Sequence, residues 1–196
     1  MKRLILLLLC IVFVSCSKDN VNTLQDDVSQ VLSLTGDAQK QAFSMLSPAQ
    51  KRSIWHDKFN LILEESTLYG RKVTLNNQQL DLIESLKNIL SEDFFAFESL
   101  ASKEIQENHI KPWLKDAKKS FTREEFMEIF TSLSYQSMVE SREVELDLDG
   151  NPASNKCKCS QKEDYCWFSD CESSDCESTY TGCGIAWGSP CDGRCN

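Results

Sequence analysis

Apolar residues between positions 24 and 135 recur mostly at intervals of three and four, the spacing that gathers them on one face of a helix. Residues 37–46 form a short stretch of this kind. A longer one begins at Ser47-Pro48, where a capping residue precedes a proline and Gln50 is placed to complete a capping box. We expect this helix to end near Tyr69-Gly70. Its helical positions, five of them apolar, are Ile54, Trp55, Lys58, Phe59, Ile62 and Leu63.

Three more helices are predicted downstream. The first follows the polar pair Asn76-Asn77, and the second covers residues 94–105, after which Pro112 is expected to interrupt the chain. The third starts from a capping box at residues 122–125. We therefore predict a mainly α fold class, with a bundle of four to six helices over residues 36–135. The apolar positions of these three helices are Leu80, Ile83, Leu86, Ile89, Leu90, Phe94, Phe97, Leu100, Ala101, Phe126, Ile129, Phe130 and Leu133.

The chain begins with a pattern typical of an export signal. Lys2 and Arg3 supply positive charge, and residues 4–14 are an apolar run too short to span a bilayer but of the right length for a signal peptide. Residues 13–16, Phe-Val-Ser-Cys, resemble a lipobox, with Phe13 in place of the more usual leucine. An ordinary secretory signal with an incidental cysteine is the alternative. We interpret residues 1–15 as a lipoprotein signal peptide, Cys16 as the lipidated residue and residues 16–35 as a polar tether.

The charge balance limits the classes of partner. Removal of Lys2 and Arg3 with the signal peptide changes the net charge from −9 to about −11. An acidic surface argues against nucleic acid as a partner and against electrostatic attraction to anionic lipid. We therefore expect contact with a membrane through the lipid anchor. That anchor would place the protein in the cell envelope, at the outer membrane, on its periplasmic or its surface-exposed face.

Residues 136–156 are predicted to form an acidic connector. Apolar Val144, Leu146 and Leu148 alternate with acidic residues as in a strand, and turn-forming residues follow at positions 149–152. Residues 145–150 also resemble the beginning of an EF-hand calcium loop. The twelfth position of that loop, however, holds Lys156 where a bidentate glutamate belongs. We favour an acidic strand or linker over a calcium site.

Cysteine usage changes abruptly near the C-terminus. Residues 17–156 contain no cysteine, whereas residues 157–196 contain eight, a density that predicts a small disulfide-rich module. The pairing is left open, except that Cys157 and Cys159 are too close to pair with each other without strain. Zinc binding is the alternative, but export and the lack of paired CxxC knuckles favour disulfides. The eight residues are Cys157, Cys159, Cys166, Cys171, Cys176, Cys183, Cys191 and Cys195.

The pattern of this tail resembles fulvocin C and the fulvocin C-related bacteriocin family. It reads C-x-C-S-x-x-x-D-Y-C, then spaced cysteines, T-G-C-G, a tryptophan and two more cysteines. The matching positions are Cys157, Cys159, Ser160, Asp164, Tyr165, Cys166, Thr181, Gly182, Cys183, Gly184, Trp187, Cys191 and Cys195. The resemblance covers the last forty residues, about a fifth of the chain.

The resemblance implies a secreted, disulfide-bonded peptide or domain with antibacterial action. Proteins grouped with this family are commonly longer lipoproteins with a helical N-terminal part, and this chain looks like one of them. The tail carries three basic side chains against seven acidic ones. A peptide that disrupts anionic membranes normally has the opposite charge balance, so contact with a protein or a glycan suits this module better.

The two histidines give no sign of a metal or catalytic site. His56 and His109 stand on separate predicted helices, without an HExxH motif or a histidine partner, and we expect His56 on a surface or rim. Adjacent carboxylates such as Glu64-Glu65 point in different directions on a helix. A glycine-rich phosphate loop is absent from the sequence. We therefore predict no enzyme activity, no cofactor and no metal.

Two hypotheses of function from different classes follow. In the first, the helical bundle of a lipid-anchored protein displays the module for binding or antibacterial action at a cell surface. In the second, the bundle is a carrier, and the module is released as a bacteriocin-like peptide by cleavage within residues 136–155. A thiol-based redox enzyme is a third alternative, disfavoured because no CxxC motif accompanies a βαβ pattern. Trp167 and Phe168 are the first candidates for recognition, although the aromatic residues of the tail equally suit a small core.

Overall fold

A computed structural model describes residues 27–96, 99–134, 156–164 and 170–195 of the chain. These residues form a helical part followed by a disulfide-bonded part that contains short strands, so the predicted fold class is confirmed. The predicted signal peptide with Cys16, most of the tether, and the connector up to Asn155 lie outside the described residues. Trp167 and Phe168 lie outside them as well.

Helices make up most of the described N-terminal part. Helix α1 covers residues 27–33 and is followed by α2 (Gly36–Ser44), α3 (Pro48–Glu65), β1 (Thr67–Leu68), β2 (Arg71–Lys72), α4 (Asn77–Ile89), α5 (Glu92–Phe95), α6 (Leu100–Ile105), a π-helix (Gln106–Ile110), α7 (Lys111–Ser120) and α8 (Arg123–Phe130). The C-terminal part contains β3 (Cys171–Glu172), β4 (Thr179–Cys183), a 3-10 helix (Ile185–Trp187), β5 (Ser189–Cys191) and β6 (Arg194–Cys195). The strands pair antiparallel as β1 with β2, β3 with β6, and β4 with β5.

Both predicted capping boxes are present. At the start of α3, the backbone N–H of Gln50 donates to Ser47 Oγ, and the Gln50 side chain accepts from the Ser47 N–H at 2.9 Å. At the start of α8, Thr122 and Glu125 make the same reciprocal pair, at 2.9 and 3.2 Å. Each box satisfies backbone donors that the first turn of a helix leaves without partners. These local signals therefore fixed two helix starts correctly.

The predicted end of α3 was wrong by one turn. The helix ends at Glu65, because Ser66 adopts a left-handed conformation with φ of 51°. Tyr69 and Gly70 instead form the turn between β1 and β2, with φ of 51° and 72°. Two successive left-handed residues suit the twist of a tight hairpin. The signal at Tyr69-Gly70 marked this turn and not the helix end.

The helix predicted over residues 94–105 is divided into α5 and α6. Helix α5 ends at Phe95, and α6 begins after Ser99, whose Oγ accepts the N–H of Ser102 at 2.9 Å. The Ser102 hydroxyl donates in turn to the Phe94 carbonyl, which ties the two short helices together. Leu100, assigned to the apolar face, is 86% exposed. The apolar spacing alone predicted one continuous helix. The Ser99 side chain instead caps a new helix start, and this local hydrogen bond decides where α6 begins.

Pro112 does not interrupt the helical path, contrary to our expectation. The π-helix runs directly into α7, and the Lys111 N–H bonds to the Gln106 carbonyl five residues earlier. Pro112 lies in the first turn of α7. A proline lacks the N–H of an α-helix and its ring conflicts with the carbonyl four residues back. The wider π turn immediately before it accommodates the ring.

Aromatic side chains form the centre of the helical core. Phe130 on α8 is fully buried and lies 5.0 Å from Trp113, 5.0 Å from Phe121 and 5.1 Å from Phe126 between ring centroids. Phe59 of α3 reaches the same ring at 6.1 Å. Most of these rings meet edge to face, the arrangement that aromatic quadrupoles favour. The core therefore joins α3, α7 and α8.

A buried lysine closes the C-terminal end of α8. Lys58 Nζ donates to the carbonyl oxygens of Glu128 and Ile129 at 2.7 Å each, and also to that of Ser132. The same ammonium lies 4.9 Å from the ring centroid of Trp55. Burial lowers the pKa of Lys58 well below its usual value. A cation at this place satisfies carbonyls that the last turn leaves without partners and complements the helix dipole.

Candidate functional site: the disulfide module and its junction with the helices

Residues 156–164 and 170–195, called the module below, are cross-linked by disulfide bonds, as predicted. The described pairs are Cys157–Cys176, Cys159–Cys171 and Cys183–Cys191, and Cys195 is disulfide-bonded too. Cys157 and Cys159 thus pair with different partners. Cys166 lies outside the described residues. Short strand pairs and isolated bridges, such as the one between Cys159 and Gly193, supply the remaining backbone order.

Asp164, the aspartate of the D-Y-C motif, organises the backbone of the module. Its carboxylate accepts the Gly184 N–H at 2.9 Å and the Ser160 N–H at 2.7 Å. Burial raises the pKa of Asp164, and these two hydrogen bonds act in the opposite direction. Gly184 has φ of 72°, and a Cβ there would lie 2.4 Å from a carboxylate oxygen of Glu163. Asp164 and Gly184 therefore join the start of the module to its T-G-C-G turn.

Glu163 holds the residues that follow this turn. Its carboxylate accepts the Ile185 N–H at 3.0 Å and the Ser189 hydroxyl at 2.7 Å. Burial raises its pKa to about 7, with the neighbouring Asp164 carboxylate as a smaller cause in the same direction. Both oxygens are used in hydrogen bonds. The residue therefore stabilises the loop between β4 and β5.

Cations from the helices face this pair of carboxylates. Lys40 of α2 and Lys118 of α7 both lie close enough to Asp164 to stabilise its charge, and Lys118 also faces Glu163. Burial lowers the pKa of both lysines. Arg123 forms an ion pair of 3.2 Å with Asp170, which is largely exposed and therefore contributes little to stability. Basic residues on three helices thus face acidic residues of the module.

Trp187 connects the module to the hydrophobic core of the helices. Its side chain is 2% exposed, and its ring meets those of Phe43 and Trp55 edge to face, at centroid distances of 5.2 and 6.1 Å. The indole Nε1 donates to the Thr131 carbonyl at 2.8 Å, just beyond the end of α8. The contact thus combines apolar burial with a satisfied polar group. One hydrophobic core extends across the predicted boundary before Cys157.

The backbone of this turn is closely fitted to the helices. Ala186 and Trp187 both have left-handed conformations, with φ of 51° and 55°, which residues with side chains seldom adopt. Gly188 lies against the ring of Phe94, and a Cβ at this position would come within 2.2 Å of that ring. Ile185 and Ala186 are fully buried in the same core. The ring of Phe94 and the surrounding hydrophobic core therefore hold the turn in place.

The two histidines make different contacts in the part of the chain that the structure describes. His56 is partly buried, and its Nε2 lies 3.0 Å from the Leu90 carbonyl; burial is the largest cause of its lowered pKa. His109 is exposed and lines an open groove of about 670 Å³ with Asp81 and Glu84. Across the described residues, no three histidine, cysteine or carboxylate side chains are grouped to hold a metal ion.

The sequence analysis missed the junction with the helices. It treated Trp187 as one of several aromatic residues suited to recognition or to a small core, and it assigned no role to Lys40 or Lys118. Ile185-Ala186-Trp187 is one of two apolar runs in the tail, the other being residues 165–168. The sequence alone does not indicate which of the two runs is buried against the helices. Trp187 is buried and therefore unavailable for recognition of a partner.

Scans of known protein families, of curated proteins and of solved structures found no match to this chain. Among the helices in the described ranges, none is long and apolar enough to cross a membrane. The disulfide bonds indicate an extracellular or cell-envelope location, because thiols in the cytoplasm are kept reduced.

Proposed function

We propose that this chain is an exported lipoprotein of the fulvocin C-related bacteriocin type, anchored in the cell envelope through Cys16, whose module binds a target at a cell surface. The observation that carries the proposal is a disulfide-bonded module seated on a helical body through Trp187. The disulfide bonds support the oxidising compartment that export would provide. The N-terminal apolar run and the lipobox pattern support the anchor.

The exposed surface of the module favours a protein or glycan target. Asp170, Glu172, Asp175 and Glu177 are all exposed along residues 170–177. A surface of this charge repels an anionic membrane, so killing by direct membrane disruption is disfavoured. The target is expected to carry neutral or basic groups at the contact. Trp167 and Phe168, which directly precede this segment in the sequence, remain the proposed aromatic contacts.

Release of the module as a free peptide is disfavoured by the shared core. Withdrawal of Trp187 would expose its own ring and the rings of Phe43 and Trp55. Burial of one large aromatic side chain is worth about 4–6 kcal/mol at 25 cal/mol per Å². Ile185 and Ala186 are fully buried in the same core and add to this contact. We therefore expect a module cut at the connector to stay bound to the helices, which favours action in place over the carrier hypothesis.

The environment of the cysteines supports a structural role over thiol chemistry. Cys157, Cys159, Cys171, Cys183 and Cys191 are at most 8% exposed, and all five are bonded to another cysteine. A redox-active cysteine needs access to its substrate and a stabilised thiolate. Burial of this extent withholds that access while the module is docked on the helices. We therefore propose no thiol-based enzyme activity.

Intact and peptide-mapping mass spectrometry of the protein from its native host tests this proposal. We expect a full-length mature chain, acylated at Cys16, whose mass rises on reduction by two hydrogens for each of four bridges. A chain without acylation would overturn the lipoprotein assignment. A free tail beginning near Asn155 would overturn action in place and support the carrier hypothesis.

Antibacterial action is tested separately with the purified, oxidised protein. We expect it to bind to, and to slow the growth of, susceptible bacterial strains in a panel. The control is the same protein after reduction and alkylation, which should lose the effect because the module loses its bridges. Equal results with both forms, or no binding to any strain, would overturn the antibacterial part of the proposal.

A further inference from the structure

The Cys183–Cys191 bridge differs from the other described bridges in what it encloses. Cys183 ends β4 and Cys191 ends β5, so the residues between them form the turn that carries Trp187 into the helical core. The residues between Cys157 and Cys176 and between Cys159 and Cys171, as far as they are described, contribute nothing to that core. This bridge therefore encloses the segment that joins the module to the helices.

The turn needs this constraint to keep its shape. Gly184, Ala186 and Trp187 all have φ between 51° and 72°, and for Ala186 and Trp187 such a conformation is unfavourable in a free chain. The pairing of β4 with β5 is irregular, and an isolated two-stranded hairpin has marginal stability in water. Without the bridge, the hydrogen bonds to Glu163 and Asp164 and the packing of the helices would hold the turn alone. We expect the turn then to sample conformations in which Trp187 does not reach Phe43 and Trp55.

We infer that the Cys183–Cys191 disulfide is a redox-sensitive latch whose reduction withdraws the Trp187 turn and undocks the module, while the rest of the helical core stays folded. A dithiol is the reductant. One of its thiolates attacks a sulfur of the bridge and forms a mixed disulfide, and its second thiol resolves that bond. Cys183 and Cys191 become thiols, and the dithiol becomes a disulfide. This inference depends on the docked structure alone and holds whether or not the proposed function is correct.

Burial makes the latch and the docking mutually protective. Cys183 is 2% exposed and Cys191 is 3% exposed, so a reductant reaches them only when the turn opens. The docked turn thus slows reduction of the bridge, and the intact bridge limits opening of the turn. At equilibrium, docking stabilises the bridge against reduction by the same free energy by which the bridge stabilises docking.

Hydrogen exchange of the full mature chain tests the latch. The double variant Cys183→Ala/Cys191→Ala is compared with Cys157→Ala/Cys176→Ala, which removes a bridge that spans 19 residues instead of 8. We expect only the first variant to show faster exchange in α2 and in residues 182–191. The expected factor is roughly 50- to 100-fold, which is the chain-entropy effect of opening a short closed loop. Exchange in α4 and α7 should stay slow in both variants.

The control separates the latch from general stabilisation by a cross-link. Loss of chain entropy in the unfolded state is larger for the longer loop, so a purely global effect would make the Cys157–Cys176 variant the weaker protein everywhere. The latch requires the opposite result in α2, where exchange must be faster in the Cys183→Ala/Cys191→Ala variant. Equal exchange in the two variants, unchanged exchange in the Cys183–Cys191 variant, or loss of protection in α4 and α7 would each overturn the inference.

Stepwise reduction of the wild-type protein provides a second measurement. Dithiothreitol is the probe, and alkylation followed by peptide mapping reports which cysteines are free at each step. We expect faster exchange in α2 to appear together with alkylation of Cys183 and Cys191. Faster exchange that coincides with alkylation of Cys157 and Cys176 instead would overturn the inference.

Discussion

Replacement of Trp187 by alanine tests the joint core by its stability. The side chain is 2% exposed, packs against Phe43 and Trp55, and donates to the Thr131 carbonyl. Truncation of a buried tryptophan to alanine typically costs about 3–5 kcal/mol, because apolar burial is lost and a cavity remains. A domain of ordinary stability has about 5–15 kcal/mol in total. We therefore expect the free energy of unfolding to fall by about 3–5 kcal/mol.

Urea unfolding with the disulfides intact, followed by far-ultraviolet circular dichroism, measures this loss. Trp187→Phe keeps an aromatic ring but removes the Nε1 donor, so about 1–2 kcal/mol should be lost through the smaller ring and the unpaired carbonyl. Leu100→Ala is the matched surface control, because Leu100 is 86% exposed. Its effect should stay within about 0.5 kcal/mol.

The circular dichroism signal reports mainly on the helices. A loss of stability at Trp187 that appears in this signal therefore shows that the module and the helices unfold together. If Trp187→Ala costs less than about 1 kcal/mol and behaves like Leu100→Ala, the tryptophan does not complete the helical core. The module and the helices would then not share one core.

Two further substitutions test buried charged groups. Because burial raises the folded-state pKa of Glu163 from 4.5 to about 7, the folded protein keeps a proton there that the unfolded chain releases, and stability should rise by on the order of 1 kcal/mol as the pH falls from 8 to 6. Glu163→Gln should remove that part of the pH dependence in urea unfolding, and an unchanged pH dependence would contradict the assignment. Lys58→Met should cost about 3 kcal/mol, because it leaves the buried carbonyls at the end of α8 without a donor. The exposed Lys115→Met is its control, and equal losses would contradict the capping role.

The parts of the fold that depend on neighbouring residues could be predicted from the sequence. The capping boxes at Ser47 and Thr122 are present because the residues that form them stand three positions apart and need no distant partner. The disulfide character of the tail followed from its cysteine density, together with the export signal and the lack of paired CxxC knuckles. The assignment of residues 94–105 to one helix failed because Ser99 offered a competing cap that apolar spacing does not register. Pro112 remained helical because a π turn precedes it, which spacing does not reveal either.

The junction of the module with the helices depends on contacts that are distant in the sequence. Trp187 lies 144 residues after Phe43 and 56 residues after Thr131, and no local pattern relates these positions. The change in cysteine content near Cys157 indicates where disulfide cross-linking begins, but it does not report where the hydrophobic core ends. The acidic character of Glu163 and the place of Asp164 in the D-Y-C motif do not reveal which turn their carboxylates hold.

Cleavage of the connector tests the central claim, that the module and the helices form one body, most directly. A protease site placed within residues 136–155 of the oxidised mature protein is cut, and native mass spectrometry measures the products without denaturant. We predict that the two fragments stay together in a one-to-one complex, and that the same cut in the Trp187→Ala variant releases the module. Release of the module from the otherwise unchanged protein would contradict the claim.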